Sequence, residues 1–145
     1  MPVVARTGRK TAADILADAR SVIERVEPAT AWAASEDGEA LIVDIRSDDE
    51  RRRDGIVPGS LHLPRTVLEW RVDPESGWSN HHVVDTERRL ILLCAHGCSS
   101  SLAAGTLVDL GYAEAGDVEG GFEAWLAAGL PRVAATEVRP VSCRA

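Results

Sequence analysis

The chain has 145 residues, of which 45% are hydrophobic and 27% are charged, and its formal net charge at pH 7 is −7. This length fits one domain around one core, and the composition excludes a disordered chain. The negative charge repels phosphate backbones, so we expect no nucleic acid partner. No apolar stretch is long enough to span a bilayer, and the N-terminus MPVVARTGRK lacks the apolar centre of a signal peptide. We therefore expect a cytoplasmic protein that binds no membrane.

The first predicted element is an amphipathic helix from Thr11 to Val26. Thr11 and Asp14 have the spacing of a capping box at its start. The apolar residues of this stretch recur at helical spacing: Ile15, Ala19, Val22, Ile23 and Val26. A second helix is predicted to begin at Pro28, which suits a first helical turn, and to end before Asp37 and Gly38.

Strands and helices are predicted to alternate along the rest of the chain. The predicted strands are Ala40 to Ile45, Ser60 to Leu63, Leu90 to Leu93, and Asp117 with Val118. The predicted helices run from about Asp48 to Gly55, from Leu102 to Leu110 with Gly111 as its cap, and from Phe122 to Ala128 after a turn at Gly120 and Gly121. Residues 73–82 are predicted to form a surface loop. This alternation predicts an α/β domain: an open parallel sheet with helices on both faces, plus an extra N-terminal helix.

Cys94 directly follows a predicted buried strand, and in an open parallel sheet ligands bind beyond the carboxyl ends of the strands. The loop after it is short, and Gly97 permits the positive φ that would fold it into a cup of backbone N–H groups. A helix N-terminus behind this cup would stabilise an anion, so we expect a reactive Cys94 thiol with a lowered pKa. The alternative is that Cys94 has no chemical role and is only a small buried residue at a strand end.

Four motifs between residues 40 and 131 together resemble the rhodanese family, which comprises single-cysteine sulfurtransferases. Asp44-Ile45-Arg46 is similar to the family's Asp-x-Arg, and Gly55 to Ser60 resembles its Gly-His-Ile-Pro-Gly-Ala turn. Cys94 to Ser100 resembles the active-site loop, and Glu119-Gly120-Gly121 followed by Trp125 resembles the Gly-Gly…Trp ending. The resemblance implies a rhodanese-like domain, which we place at 28–133. The rest of the chain is expected to form an N-terminal extension at 1–27 that holds one amphipathic helix, and a flexible tail at 134–145.

The same resemblance implies covalent chemistry at Cys94. Its thiolate would take sulfane sulfur from a small-molecule donor, either thiosulfate or an organic persulfide, and pass it to a thiophilic acceptor such as a thiol or cyanide. A protein is a further candidate acceptor. No metal and no organic cofactor are implied. The residues implied to cradle the anion are those of the loop: Ala95, His96, Gly97, Cys98, Ser99 and Ser100.

The loop departs from the family pattern at Ser99, where many active rhodaneses carry arginine. A guanidinium there would pair with a dianionic donor, so its absence should weaken thiosulfate binding by about 1.5–3 kcal/mol. Three other arginines lie in segments that such a fold brings toward the strand ends, and they are candidate substrate-side cations: Arg51, Arg65 and Arg71. An arginine at each of these positions is more often a solvated surface charge.

Cys98 is a second departure, and two interpretations of it stay open. It could attack a persulfide on Cys94, release hydrosulfide and leave a Cys94–Cys98 disulfide, which would make the domain redox-responsive. Alternatively, it fills space on the loop, because the geometry of a disulfide in so tight a turn is demanding. The side chain of His96 is expected to point to solvent, and Cys143 in the tail is assigned no role.

Other classes of function compete with sulfur transfer. A non-catalytic binding or redox-sensing module could use the same fold with Cys94 and Cys98. A phosphatase or arsenate reductase would need arginine at the sixth position after the cysteine, where Ser100 stands. A metal site on Cys94, His96 and Cys98 is disfavoured, because the spacing fits no common zinc pattern and the N–H cup would repel a cation. Asp44 and Arg46 are expected to form a structural pair, since they lie on one side of a strand.

Overall fold

Five parallel strands form one sheet in the computed structural model, which describes residues 8–135. The strands are β1 (Glu24–Val26), β2 (Leu41–Asp44), β3 (Leu61–His62), β4 (Leu90–Leu93) and β5 (Gly116–Val118). Their order across the sheet is β1-β5-β4-β2-β3, and every pairing between them is parallel. The central strand β4 therefore delivers Cys94 to the middle of the carboxyl edge of the sheet.

Helices cover both faces of this sheet. They are α1 (Ala12–Arg20), α2 (Pro28–Glu36), α3 (Asp48–Asp54), α4 (Leu68–Val72), α5 (Ser99–Asp109) and α6 (Gly121–Ala127), and a short 3₁₀ turn at Arg65–Val67 precedes α4. In β4, Leu90 and Leu92 pack in the core that α4 and α5 cover, and Ile91 and Leu93 pack in the core that α2 and α6 cover. Because both faces are buried, the strand is a continuous apolar run.

Most of the predicted elements are confirmed. Thr11 and Asp14 form the expected reciprocal capping box, and α2 begins at Pro28. Helix α3 begins after a second capping box at Ser47 and ends at Asp54, where it is capped by Gly55 with a φ of 90°. The parallel α/β sheet with helices on both faces and an additional N-terminal helix is also confirmed.

The prediction of one helix from Thr11 to Val26 is wrong at its C-terminal end. Helix α1 ends at Arg20, and residues 24–26 form strand β1 on the edge of the sheet. The apolar residues in this stretch suit either structure, and the strand supplies backbone partners to the edge of β5, which a longer helix would leave unpaired. The segment at 65–72 carries helical turns that the sequence pattern did not indicate.

The predicted domain boundaries stay predictions. The proposed extension at 1–27 contains β1, so its last residues belong to the same sheet as the rest of the domain. Of the proposed flexible tail, residues 136–145, including Cys143, lie outside the described residues. No helix within residues 8–135 combines the length and hydrophobicity of a bilayer-spanning segment.

Candidate active site

Cys94 lies where β4 ends, and the residue is 5% exposed. The loop that follows turns back over the sulfur, and α5 begins five residues later at Ser99. The arrangement puts the thiol at the carboxyl edge of a parallel sheet and at the N-terminus of a helix, which is where such folds bind anions.

Two backbone amides point at the sulfur. The N–H of Gly97 donates to Cys94 Sγ at 3.1 Å, and the N–H of Ser100 donates at 3.4 Å. The Ser100 hydroxyl lies 3.2 Å from the same atom. The two amides form the expected cup of donors, whereas the Ser100 hydroxyl accepts from the thiol and donates to Asp117. Helix α5, with eleven residues, directs the positive end of its dipole toward the sulfur.

Glycine is required at two places where the loop meets the start of α6. Gly97 has a φ of 85°, and a Cβ there would lie 2.7 Å from the backbone nitrogen of Gly120. A Cβ on Gly121 would lie 2.4 Å from the carbonyl oxygen of Cys94. This close approach lets the N–H groups of Phe122 and Glu123 bind the carbonyls of Cys94 and Ala95, at 2.8 and 3.1 Å. The Gly-Gly turn thus fixes the backbone of the loop.

The surroundings of Cys94 lower the pKa of its thiol. Burial alone would raise the pKa, because it disfavours the charged thiolate. Hydrogen bonding with Ser100, with the Ser99 hydroxyl and with the Gly97 amide together outweighs burial. A thiol with a lowered pKa is more often the nucleophilic thiolate at neutral pH.

A pocket of about 610 Å³ opens at Cys94, within the range of small-molecule sites. Its walls come from the ends of β2 and β4 and from the segment after β3. The lining residues on the loop side are Cys94, Ala95, His96, Cys98 and Ser99, and on the other side they include Arg46, Ser47, Asp48, Glu50, Arg65 and Thr66. The pocket lining therefore mixes cationic and acidic side chains.

The three candidate cations differ in their position relative to the pocket. Arg65 lines the pocket, and its Nη1 lies 3.4 Å from Glu69 in a half-exposed pair. Arg51 is buried beside Asp44, and Arg71 is buried and donates to a backbone carbonyl outside the pocket. Of these three, only Arg65 is among the residues that line the pocket at Cys94.

Asp44 and Arg46 form the expected structural pair. Arg46 Nε and Nη2 donate to the two carboxylate oxygens of Asp44 at 3.0 and 2.8 Å, and both side chains are buried. The guanidinium also stacks on the Phe122 ring at 3.9 Å. Asp44 also accepts from Arg51 Nε at 3.3 Å, so two arginines share one carboxylate at this wall of the pocket.

Cys98 and His96 occupy the outer part of the loop. Cys98 is an exposed free thiol that immediately precedes α5, and it lines the same pocket as Cys94. The His96 side chain is 75% exposed, as expected, and its Nδ1 lies 2.9 Å from a carboxylate oxygen of Glu123. Within residues 8–135, no group of three or more His, Cys, Asp or Glu side chains could hold a metal ion.

Three further side chains contact the loop from behind, and the sequence analysis did not single them out: Arg20, Arg25 and Asp117. Arg20 and Arg25 lie in the N-terminal segment, and Asp117 lies on β5. The one signal for any of these three residues in the local sequence was Asp117, a charged residue within an otherwise apolar strand. Asp117 is fully buried.

The chain is similar in sequence to a known domain family and to a curated protein. The model of the family described as "Rhodanese-like domain" matches residues 27–128. The thiosulfate sulfurtransferase GlpE of Actinobacillus succinogenes is 32% identical over 116 residues, covering 80% of this chain and 96% of that protein.

Two solved structures extend the likeness. A Rhodopseudomonas palustris protein of unknown function, described as a possible tyrosine phosphatase, is 36% identical with a TM-score of 0.81, covering 92% of this chain and 99% of that one. The polysulfide-sulfur transferase homodimer of Wolinella succinogenes is 26% identical with a TM-score of 0.65, covering 92% and 96%.

Proposed function

Because this chain belongs to the rhodanese-like domain family, we propose that it moves sulfane sulfur from a donor to a thiophilic acceptor through a persulfide on Cys94. Sulfurtransferase activity of the rhodanese type is supported by the relatives named thiosulfate sulfurtransferase. The donor is thiosulfate or an organic persulfide, and the acceptor is a small thiol, cyanide or a protein thiol.

The reaction has two half-reactions. The Cys94 thiolate attacks the sulfane sulfur of the donor, so a new S–S bond forms and the donor's own bond to that sulfur breaks. The leaving group departs with the bonding electron pair, as sulfite from thiosulfate or as a thiolate from an organic persulfide. The acceptor then attacks the outer sulfur, and Cys94 leaves as a thiolate. The scheme predicts ping-pong kinetics.

The observation that carries the proposal is the convergence of the Gly97 and Ser100 amides on the buried Cys94 sulfur. Amide donors fixed in place stabilise the anionic sulfur without reorganising during the reaction. They act on the thiolate before attack, and they remain beside the persulfide after it.

The pocket lining bears on the choice of donor. Ser99 supplies no charge, Arg46 is committed to Asp44, and Arg65 is paired with Glu69. Asp48 and Glu50 add negative charge to the same lining. A dianionic donor therefore gains little from this pocket, so we expect a larger second-order rate constant with glutathione persulfide than with thiosulfate.

The test is to mix the reduced protein with thiosulfate, and separately with glutathione persulfide, and to record intact mass and cyanolysable sulfur. The proposal expects a gain of one sulfur atom in wild type and in Cys98→Ser, and none in Cys94→Ser. If neither donor adds sulfur to the wild-type protein, the proposal is wrong, and a non-catalytic binding module becomes the better explanation.

A redox-responsive role is a second candidate, favoured by the exposed Cys98 thiol in the pocket of Cys94. A phosphatase role is suggested only by the description of the Rhodopseudomonas palustris protein. Ser100 occupies the position where that chemistry needs an arginine for the transition state. Hydrolysis of an aryl phosphate that depends on Cys94 would favour the phosphatase.

A further inference from the structure

The N-terminal segment contacts the active-site loop, and we propose that Arg20, Arg25 and Asp117 are positioning residues that hold this loop in its sulfur-binding conformation. The inference rests on the proposed role of Cys94. It assigns a task to α1 and β1, whose residues all precede the 27–128 match of the family model.

The first contact is a clamp on the Gly97 carbonyl. Arg20 Nη2 donates to this oxygen at 2.9 Å, and Arg25 Nη2 donates to it at 3.0 Å. The Ser101 hydroxyl oxygen lies 3.2 Å from the same carbonyl oxygen. Gly97 is the residue whose N–H faces the Cys94 sulfur. Fixing the carbonyl therefore fixes the backbone of the residue that supplies one of the two amides of the cup.

The second contact is the buried carboxylate of Asp117. Its Oδ2 accepts hydrogen bonds from the hydroxyls of Ser100 and Ser101, both at 2.7 Å. Arg25 Nε donates to Oδ1 at 3.0 Å. Arg25 and Asp117 are direct partners in the pairing of β1 with β5, so the sheet itself aligns this ion pair. Asp117 thereby ties the first turn of α5, including Ser100, to the sheet.

Helix α1 is held close enough for Arg20 to reach the loop. Ala19 packs against Gly105 of α5, where an added Cβ would lie 3.1 Å from the Ala19 Cβ. Arg20 Nε also donates to the Ser101 hydroxyl at 3.1 Å. Because Arg20 binds both Gly97 and Ser101, it joins the loop to the start of α5.

Losing either arginine should raise the pKa of Cys94. Removing a cation behind the loop destabilises the thiolate electrostatically, and releasing the Gly97 carbonyl lets its N–H drift from the sulfur. Both effects have the same sign. A purely structural role for these arginines would lower the stability of the fold without moving the thiol pKa of the protein that remains folded.

The test uses protein in which Cys94 is the one remaining cysteine, made by Cys98→Ser and Cys143→Ser. Arg20→Met and Arg25→Met are compared with this parent, with Arg20→Lys as the conservative variant. Lys10→Met is the matched control, since it removes an exposed cation of the same segment whose one ion pair among residues 8–135 is with Asp18. The pH dependence of iodoacetamide alkylation gives the pKa of Cys94, and urea unfolding shows which variants are folded.

We expect Arg20→Met and Arg25→Met to raise the pKa of Cys94 by about half a pH unit or more, which is about threefold in the equilibrium constant. Arg20→Lys should recover part of the shift, and Lys10→Met should match the parent. Arg25→Met leaves the buried carboxylate of Asp117 without its cation. If the Arg25→Met protein does not fold, the pKa measured in Arg20→Met alone tests the proposal. A parental pKa in folded Arg20→Met overturns the proposal. Alkylation needs no sulfur donor, so this result is independent of whether Cys94 accepts sulfur.

Discussion

Replacing Gly97 with alanine tests whether the shape of the loop, rather than the mere presence of Cys94, makes the thiol reactive. Gly97 has a φ of 85°, and an added Cβ would lie 2.7 Å from the nitrogen and 3.2 Å from the Cα of Gly120. The neighbour is backbone, so it cannot turn aside as a flexible side chain could. The loop must therefore move.

The magnitude has two parts. A left-handed conformation costs an L-residue about 1–2 kcal/mol, and this applies to any alanine at such a position. Displacement of the loop also removes the 3.1 Å hydrogen bond from the Gly97 amide to the sulfur. A hydrogen bond to a charged group contributes about 1.5–3 kcal/mol. Its loss should raise the pKa of Cys94 by about one to two pH units.

Gly59→Ala is the matched control. Gly59 has a φ of 77°, and nothing lies within 4 Å of an added Cβ. It shares the backbone penalty and lacks the collision, so Gly59→Ala should lower the free energy of unfolding by about 1–2 kcal/mol while leaving the pKa of Cys94 unchanged. The pKa is measured from the pH dependence of alkylation, and stability from urea unfolding. If folded Gly97→Ala keeps the wild-type pKa, the argument that the amide cup controls the thiol is refuted.

Three further predictions concern redox chemistry, pH and the core. Mild peroxide should oxidise the Cys94 and Cys98 thiols of the wild-type protein to a disulfide, with the loss of two hydrogen atoms from its mass, but should not do so in Cys98→Ser. An unchanged wild-type mass would reject a Cys94–Cys98 disulfide. Burial lowers the pKa of His62, whose Nε2 lies 2.8 Å from the carbonyl of Arg46, so stability should be full above about pH 6.5 and fall as pH decreases through the folded-state pKa. Between about pH 7.5 and 5.5, the free energy of unfolding measured with urea should fall less in His62→Asn than in the wild-type protein. Equal falls in the two proteins would contradict this. Tyr112 is buried with its pKa raised to about 12, and its hydroxyl lies within hydrogen-bonding distance of the backbone carbonyls of Val72 and Val83. Tyr112→Phe should therefore lower the free energy of unfolding by about 1–3 kcal/mol. An unchanged urea midpoint would contradict this.

The sequence could predict features that depend on neighbours along the chain. Continuous apolar runs indicated β2 and β4, because strands buried on both faces have no polar side. The capping residues Thr11 and Asp14 located the start of α1, and Gly55 located the end of α3. Cys94 at a strand end, with Gly97 three residues later, indicated the cup for the same local reason.

The end of the N-terminal helix shows where such reasoning fails. Val22, Ile23 and Val26 satisfy helical spacing, yet residues 24–26 pair with β5, which lies ninety residues further along the chain. The choice between helix and strand was decided by an unoccupied sheet edge, and no local pattern reports that edge. Propensity is overridden whenever tertiary hydrogen bonding offers a better arrangement.

By itself, the sequence determined the alternation of strands and helices, the place of Cys94 at the end of a buried strand, and the glycine that lets the loop fold around it. Only the tertiary structure decided which side chains support that loop. Arg20 and Arg25 contact Gly97 across 77 and 72 residues, and Arg25 pairs with Asp117 across 92. The physical reason is that period and spacing encode contacts within one element, whereas these contacts exist because β1 and β5 meet in the sheet and α1 packs on α5.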